Sequence, residues 1–331
     1  MPCPYMGVAG VASWWRCRGM HLTMSATASQ RAGVEIAAVD SPVLTLDGIS
    51  GRPVSNTRRA LRRFFRQRLA LVGLFITGFL ILVAVFAPVL APTSMEASDL
   101  MSANQFPNAD HPFGTDAIGR DVLTRVIFGT RTSLIVGFAA VAIACAIGIP
   151  LGLAAGLRGG WVDFAVMRAV EVMVAFPGIL FAMFLVTVIG GGVQNIILAI
   201  GVTTWVTLCR LTRSQLLTLR EQEFVQAARS LGVPEAQIAV RHMLPNAIAP
   251  LIVAITLAIP TAIFAEAGLS FLGIGINQPT PSLGKMVADS AQYIRVYWYL
   301  GVFPTLAIAL AMLGFTFVGD GLRDALDPRH N

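Results

Sequence analysis

Charge is scarce in this chain. Of its 331 residues 13% are Asp, Glu, Lys or Arg, while 55% are hydrophobic and the mean hydropathy is +0.71. A soluble domain carries about 25% charged residues, so roughly half the usual charge is missing. That balance excludes a disordered chain, a coiled coil and a disulfide-stapled secreted module, and it disfavours a cytosolic enzyme. Lysine is scarcer still, with Lys285 the single one. A phosphate-cradling G-x-x-x-x-G-K-[ST] loop needs its lysine against the nucleotide. Lys285 is followed by Met286, so no ATP site of that kind is expected. The four cysteines (Cys3, Cys17, Cys145, Cys209) form no C-x-x-C pair, and the histidines are scattered at 21, 111, 242 and 330. Neither a metal site nor a disulfide framework is expected, and no cofactor. H-E-x-x-H and G-x-S-x-G motifs are also missing. An intramembrane enzyme would need a Ser–His or paired-Asp site at membrane depth, which the apolar stretches do not offer, so a non-catalytic chain is expected.

What is present is long apolar sequence. Residues 69–95, 132–157, 172–209, 242–265 and 296–319 carry no charge at all. A spanning helix needs about 20 apolar residues, and the third run, at 38 residues, suffices for two crossings with Gly190-Gly191-Gly192 at the turn. An all-α integral membrane protein with six spans follows, near 69–91, 133–156, 168–189, 195–215, 248–272 and 297–319. Orientation follows from the positive charge in the loops. Ten arginines lie in residues 1–68, six of them (Arg58, Arg59, Arg62, Arg63, Arg66, Arg68) beside the first span. With the amino terminus inside, Lys and Arg divide 19 inside to 5 outside. Both termini are then cytoplasmic, and the arginine-rich stretch is a topology signal rather than a nucleic-acid patch. The first 23 residues lack an apolar stretch after a basic start and do not resemble a cleavable signal peptide; Met20 and Met24 stand as alternative starts.

The most informative polar stretch is 221–245, expected on the cytoplasmic side. Phe224, Ala227, Ala228 and Leu231 recur at i, i+3, i+4 and i+7, an apolar stripe on a two-turn helix. Gly232 supplies a left-handed stop, Pro234 suits the first turn of a second helix, and Pro245 is expected to end that helix before the fifth span. Such a helix–turn–helix can dock into a partner's groove, lie on the membrane surface, or pack beneath the bundle. Composition and spacing leave these three open.

The stretch resembles the Glu-Ala-Ala loop of ATP-binding-cassette importer permeases, with Ala227, Ala228, Gly232, Leu244 and Pro245 at the family's spacing. Gln226 stands where the family has Glu, and His242 where a branched apolar residue is common. Two further regions are similar to the permease branch that imports di- and oligopeptides or nickel complexes, and within it to the second of two paired permeases. One runs from His111 through Gly114, Asp116, Gly119, Arg120, Asp121 and Arg125. The other comprises Glu266 to Gly273, Pro279 to Gly284, and Gly319 to Arg329. The resemblance covers about residues 62–329. It implies the type I importer fold, a pathway shared with a homologous permease, two cytoplasmic ATPase subunits, an extracytoplasmic binding protein, and residence in a bacterial inner membrane. It also implies a division into a cytoplasmic tail (1–68), a first span (69–91), an extracytoplasmic segment (92–130), a permease core (131–320, with the coupling loop at 221–245) and a cytoplasmic tail (321–331). Phe224, Ala227, Ala228, Leu231, Gly232, Leu244 and Pro245 become candidate ATPase-coupling residues. The cargo stays open between peptides and a nickel complex.

Several further features carry readings of their own. Gly114, Gly119 and their charged neighbours suggest either an ordered extracellular cap or a surface loop with internal ion pairs, and Arg120 and Arg125 either face the pathway or join those pairs. Glu266 is an ionisable group within a span, a candidate pathway residue, but Ser270 one turn on offers a local partner; Glu171 is expected to pair with Arg168. Ala140, Ala144, Gly148, Gly152 and Gly156 form a small-residue ridge suited to close helix packing. Pro150, Pro177, Pro260 and Pro304 are expected to interrupt four spans. A self-sufficient secondary transporter would need two related halves with broken helices, and the sequence shows no such repeat.

Overall fold

A computed structural model describes residues 56–326. The expectations for the amino-terminal tail, including Cys3 and Cys17, and for Pro328 and Arg329 lie outside the described residues. The chain enters through a short arginine-rich helix α1 (Asn56–Phe64), then α2 (Arg68–Val85) and the single turn α3 (Ala87–Leu90). A capping segment leads to α4 (Val122–Arg158), followed by α5 (Gly160–Ala175), α6 (Gly178–Ile189) and α7 (Val193–Arg220). The helix–turn–helix comprises α8 (Glu223–Ser230) and α9 (Glu235–Ile238), and a π-helical turn (Ala239–Met243) joins it to α10 (Leu244–Phe271). A short α11 (Leu283–Ser290) precedes α12 (Tyr299–Leu326). Among the described residues five helices are long and apolar enough to cross a membrane, or six if α5 and α6 count as one broken span.

The spans differ from the sequence expectation in where one begins, where one bends and which prolines interrupt them. The second span begins at Val122 rather than near residue 133, because the Asp121 side chain caps the helix by accepting from the Thr124 amide at 2.7 Å. Arg131 bounds the charge-free run but lies half-buried inside α4, so it does not mark a helix end. At about 1.5 Å per residue α4 is some 55 Å long, well beyond a hydrocarbon core of about 30 Å. The third span is bent by 87° between α5 and α6. Proline drives its predecessor out of the helical region, and Phe176 (ψ 134°) and Pro177 (ψ 121°) are both extended. Pro150, Pro260 and Pro304, by contrast, lie inside continuous helices, so of the four prolines expected to interrupt spans only Pro177 does.

In lipid there is little hydrophobic force between helices, and association depends on close packing and on local satisfaction of polar groups. Both are visible. The small-residue ridge of α4 is buried against α7. A Cβ added at Gly148 would lie 2.5 Å from the Trp205 carbonyl oxygen, and one at Gly152 would lie 2.6 Å from that of Cys209. Gly156 lies against Leu216 in the same way. Threonine hydroxyls inside the spans donate back one turn, Thr130 to Val126, Thr212 to Leu208 and Thr256 to Ile252, at 2.7–2.9 Å. On the other flank Gly73 and Gly314 bring α2 and α12 together, with Thr77 between them.

The segment before α4 folds as a cap over one end of the bundle. Gly114 (φ 74°) packs so tightly on the Gln105 carbonyl and the Tyr299 ring that no side chain fits. The Tyr299 hydroxyl donates to the Thr115 carbonyl at 3.0 Å, and Phe113 stacks on Phe303 with centroids 3.9 Å apart. Val122, Val126, Leu283, Met286, Tyr299 and Leu300 complete a small core beneath it. The internal ion pairs are present too, so the two readings of this segment describe one structure.

The α4–α7 contact can be tested directly. Gly148→Val is expected to destabilise the fold by at least about 1–3 kcal/mol, because the obstructing atom is backbone. Gly78→Ala, where an added Cβ meets nothing within 4 Å, should be neutral or slightly stabilising. Thermal unfolding of the detergent-solubilised protein reads both.

Candidate functional site

The candidate site is built on the end of α7. The last turn of α7 gives way at Glu221, and α8 turns back with Gln222 as its amino-terminal cap residue. Helix α8 then closes with a double-bonded stop, in which the Gly232 amide donates to the Arg229 carbonyl (2.8 Å) and the Val233 amide to that of Ala228 (3.2 Å). This is the Schellman pattern, and it places Gly232 at φ 77°, where L side chains are strained. Pro234 starts α9, its carbonyl accepting from the amides of Gln237 and Ile238. Arg229 and Glu235 clamp the two helices with a two-pronged contact of 2.6 and 3.1 Å. The bonded carboxylate holds the Arg229 guanidinium above the usual arginine range, so the clamp stays charged at any physiological pH.

Burial divides the expected stripe. Val225 is fully buried with Leu216, Ile238 and Met243, and Ala228, Val233, Leu153 and Leu157 pack around them. Phe224 (42% exposed), Ala227 and Leu231 (83% exposed) point away from that cluster. The α8 helix is therefore anchored by a residue outside the stripe, and most of the stripe is left facing outward. Leu244 is half-buried and Pro245 exposed, both at the start of α10 rather than on α8.

Pro245 does not end a helix, contrary to the expectation. It occupies the first turn of α10, and the helical path runs on from Glu235 to Phe271. Proline removes one amide donor and crowds the carbonyl four residues back. The widened π turn over Ala239–Met243 lies where that mismatch falls. The second arm of the helix–turn–helix is thus a direct extension of a membrane-spanning helix. Gln226, at the family's Glu position, makes a neutral contact to the Glu221 carbonyl at 3.3 Å. Sequence reasoning missed a second brace, in which Arg213 of α7 forks onto Asp163 of α5, one prong at 2.5 Å. The signal was an Asp and an Arg fifty residues apart, which no local pattern connects.

Glu266 lies near the far end of α10 and is fully buried. It accepts from Ser133 of α4 and Ser270 of its own helix, both at 2.8 Å. Ser282, which caps α11, donates to the Ser270 oxygen at 3.2 Å. The expected local partner is present, with a cross-helix partner beside it. Arg168 and Glu171 pair at 2.5 Å, as expected. Among the described residues no cluster of His, Cys, Asp or Glu could hold a metal ion.

Two family models match. Residues 148–331 match the binding-protein-dependent transport system inner membrane component, and residues 55–108 the amino-terminal membrane domain of oligopeptide transport permease C. The chain belongs to the binding-protein-dependent transport permeases. It is 44% identical over 276 residues to the dipeptide transport permease DppC of Alkalihalophilus pseudofirmus, covering 83% of this chain and 91% of that protein. It is 40% identical over 281 residues to the oligopeptide permease OppC of Bacillus subtilis, covering 85% and 92%. It is 42% identical over 269 residues to the glutathione permease GsiD of Escherichia coli O157:H7, covering 81% and 89%. In fold it is similar to a chain of the inward-facing MetNI methionine ABC transporter, with TM-score 0.52 and 21% identity over 62% of this chain and 97% of that one. This permease is accordingly an all-helical, multi-pass membrane component of the type I importer fold, and its relatives are the C-type subunits of peptide systems.

Burial decides what holds the helix–turn–helix in place. Val225→Asp would set an unpaired carboxylate in the Leu216–Ile238–Met243 cluster and should cost more than about 3 kcal/mol locally. Glu235→Gln removes one partner of a surface ion pair and should cost no more than about 1 kcal/mol. Limited proteolysis of residues 221–245 in membrane vesicles should show rapid cleavage in the first variant and wild-type resistance in the second.

Proposed function

We propose that this permease forms one half of the translocation pathway of an ATP-driven importer of small peptides, and that it couples to separate ATPase subunits through residues 221–245. The carrying observation is the exposed row Phe224, Ala227 and Leu231, presented by a helix that is anchored on α7 and clamped to an arm continuous with α10. A short amphipathic helix with its apolar side outward suits insertion into a groove of another protein. Ala228, Gly232, Leu244 and Pro245 shape and root this unit. Peptide cargo is supported by relatives named for dipeptides, oligopeptides and glutathione, all of peptide character.

The remaining assembly follows from the family. A homologous permease would share the pathway, and the apolar residues Val172, Val174, Phe176, Leu180 and Phe184 exposed on α5, α6 and the bend between them support a covered surface there. Two ATPase subunits would lie at the α8 end and an extracytoplasmic binding protein at the cap end. The arginine distribution supports that orientation, with both termini and residues 221–245 cytoplasmic and the cap outside. The chain makes and breaks no bond itself. Closure of the ATPase pair would displace α8 and α9 as a unit and tilt α10 with them, because the arm and the span are one helical path. Glu266 serves the pathway by position, tying α10 to α4 and α11 through its serines.

An added Cβ at Gly232 would meet nothing within 4 Å in this chain, so a larger side chain there would disturb the backbone turn and whatever docks against it. Gly232→Val should leave membrane insertion intact while ATPase subunits fail to co-purify or ATP hydrolysis no longer drives uptake. Normal uptake of labelled peptides by cells carrying this variant would contradict the coupling role.

A further inference from the structure

The cap end of the permease holds a charged cleft that the coupling mechanism does not use. It has a volume of about 190 Å³ and is lined by Asp116 and Arg120 of the cap, Arg125 at the start of α4, Gln278, and Asp289 and Gln292 around the end of α11. The arginine at its base is unusual. Arg125 is 3% exposed, and its Nη1 atom is buried without a hydrogen-bond partner. A buried guanidinium left partly unsatisfied is costly.

The carboxylates nearby are already committed. Asp116 accepts from the backbone amides of Ile118 and Arg120 at 3.0 and 2.9 Å and from Arg120 Nε at 2.6 Å, while Arg125 Nε stands 3.9 Å away. Asp289 pairs with Lys285 at 3.0 Å. Arg125 therefore lacks a close acceptor in a cleft large enough for a carboxylate-bearing side chain, since a water molecule takes about 30 Å³. Arginine is the side chain best matched to a carboxylate, through paired N–H donors.

We propose that this cleft receives an aspartate or glutamate side chain of the extracytoplasmic binding protein when it docks. The inference rests on the importer reading above. A protein side chain suits the site better than a cargo carboxylate. The lining comes from the cap, the start of α4, the loop before α11, α11 with its following turn, and the start of α12, with none from α6, α7 or α10. A docked side chain needs only to enter and withdraw, whereas cargo must pass on between the spans.

The test uses the whole transporter in lipid nanodiscs, with its partner permease, ATPases and peptide-loaded cognate binding protein. Arg125→Gln should raise the binding-protein concentration giving half-maximal ATPase stimulation by about tenfold or more, with basal hydrolysis and maximal stimulation close to wild type. Gln292→Trp, at an exposed position on the cleft, should produce the same shift without touching the buried arginine. It therefore decides the matter if Arg125→Gln fails to fold. Unchanged half-maximal concentrations in the folded variants would overturn the proposal. So would an unchanged concentration accompanied by slower uptake of peptides with a free carboxyl terminus but not of their amides, since that would assign the cleft to cargo. A wild-type complex indifferent to the binding protein would overturn the importer reading and this proposal together; a responsive wild type with unresponsive variants overturns the cleft alone.

Discussion

The close contact of α4 with α7 is the constraint on which the rest of the permease depends. Three glycines at four-residue spacing remove the side chains that would hold the helices apart, and Trp205, Cys209, Thr212 and Leu216 occupy the space. Without a hydrophobic difference between helix and lipid, this close approach is a main source of association energy. Its consequences reach both ends of the molecule. Leu153 and Leu157, near the last turns of α4, help floor the cluster that anchors α8, while Arg125, in the first turns of the same helix, forms the base of the charged cleft. A single 37-residue helix thus sets the position of both candidate contact surfaces.

The second structural axis is α10. Its inner end continues through the π turn into α9, and its outer end carries Glu266, bound to Ser133 of α4 and to Ser270, which meets Ser282 of α11. A carboxyl group at this depth costs free energy unless its oxygens find donors, and the serines supply one for each oxygen. The group holds three helices in register where an apolar residue could only pack. That explains why an ionisable residue sits in a span without facing water. Its value is directional: hydrogen bonds fix rotation about the helix axis, which dispersion between smooth apolar faces does poorly.

Most of the fold was legible in the sequence because bilayer solvation imposes simple patterns. Charge-free runs located the spans, the Ala140–Gly156 ridge announced a tight helix pair, and Gly232 marked a left-handed stop later found at φ 77°. What escaped was decided by contacts between distant residues. The start of α4 was placed too late because nothing in the sequence shows that Asp121 caps the helix ahead of Arg125 and Arg131, or that the cap buries Arg125. Pro245 looked like a terminator because the π turn that absorbs it has no compositional mark. Val225 was invisible among the stripe residues, since spacing identifies a face but not the side on which the chain supplies a cover. The Asp163–Arg213 brace joins two helices whose proximity is itself a tertiary fact.

These misreadings share a cause that bears on mechanism. A rigid-body movement passing between the two ends must be absorbed where the main-chain hydrogen-bond ladder is interrupted, because elsewhere the spans are continuous rods. Besides the single amides lost at the prolines inside α4, α10 and α12, the described residues offer two larger breaks within the membrane helices: the extended pair Phe176–Pro177, which bends the third span by 87°, and the π turn at Ala239–Met243. The first lies between α5 and α6, which bury few of their own residues and are therefore held least firmly by this chain. The second separates α8 and α9 from the span that carries the serine-bound carboxyl. Flexibility at the bend would change the shape of a surface open to a partner, whereas flexibility at the π turn would decouple arm from span. The proposed coupling through α10 therefore requires the π turn to stay stiff, and the buried side chains of Ile238, Ala239 and Met243 packed around it stiffen it.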